Sequence, residues 1–136
     1  MRAIFLDTAG WFAAMSPKER GHAVAAGAYA DARTSGTALV TTDLVVAEMH
    51  TLILRTRGTR DAQTFLEAAL SSPSHAVIYA DADLVSSAVA RWIRAFKDQE
   101  FSLCDAVSFE VMRRERIPRA LTFDRHFATA GFEMLG

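Results

Sequence analysis

The chain predicts an α/β fold: one domain with a mostly parallel central sheet of four to five strands, covered by helices on both faces. Three observations carry that expectation. Short apolar runs, "AIFLD" at 3–7, "ALVT" at 38–41, "AVIYA" at 76–80 and "ALTF" at 120–123, read as buried strands. Segments of helical length and period stand between them, as the crossovers of parallel strands require. "FEML" at 132–135 supplies a weaker fifth strand.

Each element has a local reason. Residues 9–15 fit one or two helical turns. In "SPKER" at 16–20, Ser16 is placed as an N-cap, Pro17 at the first helical position and Glu19 as the capping-box partner. That helix is expected to run to about Ser35, where Gly36 ends it. The next spans about Asp43 to Arg57 and is closed by Gly58; another covers about 60–71, before a turn at "SSPS". "DADLVSSAVARWIRAF" at 81–96 has acids in its first turn and cations in its last, as the helix dipole favours. A helix over 103–116 stops ahead of Pro118.

The 136 residues are enough for one domain, 1–136, with a real core. Apolar residues make up 51% and charged residues 23%, the balance of an ordinary globular protein. The net charge of −1 neither draws the whole molecule to nucleic acid nor repels it, and leaves any such role to a local patch. Cys104 is the sole cysteine, so no internal disulfide forms and a reducing cytoplasm is the expected setting; it reads as a small core residue. Asp7 interrupts the apolar N-terminal run too early for a signal peptide, and no stretch approaches a membrane span.

Four carboxylates stand out against this frame. Asp7 closes the first strand, Asp124 closes the fourth, and Asp105 begins the helix just before it. In a parallel sheet the crevice beyond the carboxyl ends of the strands is where ligands bind. Glu48 lies inside a helix, in one arc with Val45, Met49 and Leu52, and so is expected on the apolar face. Each acid also has a local explanation. Asp7 and Asp124 fit helix N-caps, Asp105 fits a capping box with Ser102, and Glu48 fits the rim of the core. Taken together they place four acids near one edge, where they repel unless protonated or matched by cations. A hard divalent ion, Mg²⁺ or Mn²⁺, suits oxygen-only ligands. His22, His50, His75 and His126 have no zinc spacing and read as surface or rim residues.

The segments "FLDTAGWFA", "TTDLVVAEMHTLI", "FSLCDAVSFEVMRR" and "ALTFDRHF", with their acids in this order, resemble the PIN-domain ribonucleases, and within them the VapC toxins of bacterial type II toxin–antitoxin systems. The resemblance covers nearly the whole chain. It departs at position 9, Ala here, where many members carry a second small polar residue. It implies a metal-dependent endoribonuclease that cuts a structured RNA of the tRNA or rRNA class and halts translation, leaving a 5′-phosphate and a 3′-hydroxyl. It also implies a cytoplasmic homodimer, silenced by a VapB-type antitoxin whose tail fills the groove.

On this reading Asp7 and Asp105 are the main ligands of one Mg²⁺ or Mn²⁺, while Glu48 and Asp124 serve an outer position or a second ion. The hydroxyls of Thr8, Ser102 and Thr122 are candidates to orient the carboxylates, with caps and strand edges as their alternative use. Arg55, Arg57, Arg60, Arg91, Arg94, Arg113, Arg114, Arg116 and Arg119 are candidates to meet RNA. Trp11 suits a base stack, a core site or a dimer interface. Two rival functions remain at this point. One is a phosphoacceptor or phosphatase-like α/β domain using Asp7; the other is an inert PIN-like binding module.

Overall fold

The computed structural model describes residues 2–136. Five parallel strands form one sheet in the order β3-β2-β1-β4-β5. They are β1 (Ala3–Leu6), β2 (Ala38–Thr42), β3 (His75–Ile78), β4 (Arg119–Leu121) and β5 (Glu133–Leu135). The described residues form seven α-helices: α1 (Thr8–Met15), α2 (His22–Ser35), α3 (Asp43–Arg57), α4 (Thr59–Ser71), α5 (Ala82–Ala88), α6 (Leu103–Glu115) and α7 (His126–Thr129).

The strand order fixes where a site can lie. The chain builds outward from β1 through β2 to β3, then returns to the other side of β1 for β4 and β5. Between β1 and β4 the order reverses, and crossovers on either side leave a crevice at the carboxyl ends of these two strands. Phe5 pairs with Ala120 and Leu6 with Leu121, and Asp7 N continues the pairing by donating to Leu121 O at 3.2 Å. Phe5, Leu6, Leu39, Met49, Phe109 and Phe127 are at most 1% exposed and form the centre of the core.

Two expectations needed correction. Residues 16–21 are turns, and α2 starts at His22. Ser16 ends α1, and its buried hydroxyl accepts a bond from Arg57 Nη2 at 2.7 Å. Gly21, with φ of 83°, sits against the Phe123 ring so closely that a Cβ there would lie 2.6 Å from it. That long-range packing overrides the local helix-start signal. The segment 81–96 is not one regular helix either: α5 gives way to a π-helical turn over Val89–Arg94. The helix 103–116 ends at Arg116 in a left-handed conformation, with φ of 56°, two residues before Pro118. The short helix α7 was not foreseen.

Gly10 sets how closely α1 approaches the sheet. A Cβ at this position would lie 2.2 Å from Leu121 O and 2.8 Å from Thr122 N. Gly27, in α2, has open space around it. Gly10→Ala is therefore expected to destabilise the fold by about 1–3 kcal/mol through overpacking. Gly27→Ala should stabilise it by about 0.5–1 kcal/mol, the usual helix-interior difference. Urea unfolding of the two variants checks the contrast.

Candidate metal centre

The carboxyl edge of β1 and β4 opens into a cleft of about 830 Å³, with Asp7, Glu48, Asp105 and Asp124 in its walls. Asp7 follows β1 directly and starts α1, since Trp11 N donates to Asp7 O at 2.9 Å. It occupies the N-cap position, yet its side chain makes no cap bond to the helix. The carboxylate instead accepts from Thr122 Oγ1 at 2.8 Å, at the end of β4. It is only 6% exposed. Burial pushes its carboxyl up to about 7. Bonds from Thr122 and the Thr8 N–H work against that rise, and the charges of Asp105 and Asp124 add to it.

Asp105 sits in the first turn of α6, within a complete capping box. Its N–H donates to Ser102 Oγ at 3.0 Å, and its Oδ2 accepts from Ser102 N at 3.1 Å. Thr122 Oγ1 also accepts from Asp124 N at 3.0 Å, and Asp124 Oδ1 accepts from His126 N at 2.9 Å. That turn carries the His126 ring back over the acids. Its Nδ1 lies 3.3 Å from Asp105 Oδ2 and 3.5 Å from Asp124 Oδ1. Phe101 packs edge-on against the same ring, centroid to centroid 5.2 Å. On the opposite wall Thr8 Oγ1 donates to Glu48 Oε1 at 2.6 Å, tying α1 to α3.

Three comparisons with known proteins bear on this arrangement. The model of the PIN domain family matches residues 4–133. This chain belongs to the PIN-domain family. It is 33% identical over 129 residues to the 23S rRNA-specific endonuclease VapC20 of two Mycobacterium tuberculosis strains, covering 95% of each chain. It also matches the crystal structure of VapC20 from Mycobacterium tuberculosis, a sarcin–ricin-loop-cleaving toxin. The TM-score is 0.82 at 33% identity, over 96% of both chains. The chain is thus a PIN domain of the VapC type.

In this PIN domain the four expected acids share one cleft, and an imidazole joins two of them. One ligand atom each from Asp105, Asp124 and His126 lies within 4.8 Å of the others. Asp7 stands outside that trio, near enough for the charges of Asp105 and Asp124 to raise its pKa. Glu48 is exposed on the cleft wall, not set in the apolar face of α3; its neighbour Met49 is the buried one. Of the three hydroxyls, Thr122 and Thr8 each hold a carboxylate. Ser102 holds Asp105 through its backbone N–H, and its hydroxyl caps the helix.

His126 and Arg20 are the cleft residues that sequence reasoning passed over. His126 carried a faint signal, two positions after an acid at a strand end. Arg20 carried none, because its segment was read as helix; the Gly21–Phe123 contact places it and Glu19 in the cleft wall. Of the nine arginines expected near RNA, none lines this cleft; Arg55 stands in an adjoining hollow with Glu48. Trp11 is 2% exposed and packs on Phe65, which excludes a base stack. Burial, together with the charges of Glu48, Asp7 and Asp105, pushes the Cys104 thiol far up, which fits its reading as a small core residue.

The donor set fits a divalent cation. Carboxylate oxygens dominate it, one imidazole nitrogen lies within 4.8 Å of two of them, and burial raises the pKa of the most enclosed acid, Asp7. The sign of the resulting pH dependence follows. Asp7 binds its proton more tightly folded than unfolded, so its contribution to stability is present below pH 4 and lost as pH rises through about 7. In chelator, the stability advantage of Asp7→Asn over the native chain should therefore grow between pH 4 and 8. Denaturant titrations across that window check it. An unchanging difference would show that Asp7 carries no such strain.

Proposed function

We propose that the chain is the toxin of a VapB–VapC-type pair, an endoribonuclease that cuts a structured RNA and halts translation in the cytoplasm. The observation that carries this reading is the convergence of Asp7, Glu48, Asp105 and Asp124 on one cleft at the switch point of the sheet. The likeness to VapC20 supports ribosomal RNA, and a hairpin of the sarcin–ricin type in particular, as the substrate class.

Asp105 and Asp7 would hold Mg²⁺ or Mn²⁺ in this reading, with Asp124 at their side and Glu48 at an outer position. Held there, a divalent ion would supply positive charge to a phosphate and acidity to a bound water. The chain's own residues do the positioning. Thr122 fixes the Asp7 carboxylate from behind, Thr8 fixes Glu48 across the cleft, and the capping box fixes Asp105 at a helix start. Glu48 and Asp124 line the open volume, which supports a role for them in accepting a proton from the attacking water. In-line attack breaks the P–O3′ bond and leaves a 5′-phosphate and a 3′-hydroxyl. A homodimer and silencing by an antitoxin tail in the cleft complete the proposal.

Induction of the native chain without its antitoxin should arrest growth. Asp105→Asn and Asp7→Asn, at equal protein levels, should not. On purified ribosomes the native chain should release one defined 23S rRNA fragment in Mg²⁺ or Mn²⁺, with cleavage down at least about a hundredfold in either variant, roughly 2.7 kcal/mol of transition-state stabilisation. A fully toxic Asp105→Asn protein would remove Asp105 from the site.

A further inference from the structure

Glu110 is wholly enclosed in the middle of α6 and takes no part in the cleft. Burial pushes its carboxyl up, but hydrogen bonds from Arg113, Trp92 and Arg114 outweigh burial and hold it down at about 2, so it is an anion at neutral pH. Arg113 grips it as a fork, Nε to Oε1 at 3.1 Å and Nη2 to Oε2 at 2.8 Å. Arg114 Nε donates to Oε2 at 3.1 Å and Trp92 Nε1 to Oε1 at 3.1 Å, while Arg91 Nε lies 3.2 Å from Oε1. Arg114 also reaches Asp83 Oδ2 at 3.2 Å.

Two features exceed what pinning two helices together requires. A buried ion network is often no more stabilising than apolar packing of the same volume, yet here one carboxylate gathers three guanidinia. The helix also loosens into its π-turn at Val89–Arg94, an irregularity frequent at functional sites. Neighbours on an α-helix point about 100° apart; here the adjacent Arg91 and Trp92 both reach Glu110.

The guanidinia are not enclosed with their anion. The side chains of Arg91, Arg113 and Arg114 are 51%, 44% and 34% exposed. Three cations face two anions, Glu110 and Asp83, which leaves a surplus of one positive charge. An arginine anchored along one edge is already ordered, so an incoming phosphate loses less to side-chain entropy.

We propose that this Glu110-anchored arginine face is a second RNA-binding site, outside the cleft, that grips phosphates of the stem flanking the cleavage point. The proposal rests on the ribonuclease reading. RNA is favoured over an acidic protein because α6 carries both places: Arg113 follows Asp105 by roughly 12 Å along the helix at about 1.5 Å per residue. Arg113 and Arg114 thus stand on the same helix that begins at the cleft with Asp105.

The test is fluorescence anisotropy with a labelled RNA hairpin carrying a sarcin–ricin loop, in Ca²⁺ with the RNA checked intact, between 50 and 200 mM salt. The native chain is compared with the double variants Arg91→Gln/Arg113→Gln and Arg91→Lys/Arg113→Lys, each shown folded by its melting curve. The Gln pair should bind at least about tenfold more weakly, with a salt slope shallower by about 1.5, the loss of two phosphate contacts; the Lys pair should keep most of the slope. Native affinity and slope in the Gln pair would overturn the site, and so would an equal loss in the Lys pair, since charge would then not be the cause. A native chain that binds neither this hairpin nor a mixed-sequence RNA stem would overturn the ribonuclease reading along with it.

Discussion

Burial of one carboxylate, Asp7, beside two others is the constraint around which the cleft is built. Asp7 is sealed at the seam of β1 and β4, with Asp105 and Asp124 close enough to raise its pKa. A fold that held these acids loosely would let them turn out to water. This one holds them from rigid parts: a paired strand end for Asp7, a capping box for Asp105, and a turn closed on Thr122 for Asp124. Gly10 matters for the same reason. It lets α1 lie on Leu121 and Thr122, and so keeps the Thr122 hydroxyl within reach of Asp7. The strain is useful only to a ligand that brings positive charge, and a cation that relieves it binds more tightly for having done so.

The two readings of Asp105, a helix cap or a functional acid, prove compatible. The contacts with Ser102 N and His126 Nδ1 both fall on Oδ2, so the cap does not engage Oδ1. The cap is what makes the residue precise. An Asp fixed by its own helix start loses little freedom on taking a ligand, whereas a free surface Asp must be ordered first.

Strands and acids were legible in the sequence because their signals are local. A short apolar run ending in Asp marks a buried strand and the edge where it stops, and in a parallel sheet all such edges coincide. Other features depend on packing across the chain. The capping signal at Ser16 is genuine, but Gly21 against Phe123 and Arg57 on Ser16 hold that segment as turns, and with it Arg20 in the cleft. Helical periodicity put Glu48 in the arc of Met49 and Leu52, but the cleft opens beside that arc, so Glu48 faces solvent. Glu110 is the clearest limit. Nothing in "SFEVMRR" tells an enclosed glutamate from a solvated one, because its partners Arg91 and Trp92 come from a π-turn that local propensity does not encode.

The central claim is that the acids converge on a cation position. A crystal grown with Mn²⁺, with diffraction recorded at a wavelength where manganese scatters anomalously, tests it most directly. The account predicts an anomalous peak in contact with a carboxylate oxygen of Asp105 and with at least one of Asp7 and Asp124. A map with no peak in the cleft, or with manganese only on acids outside it, would contradict the account.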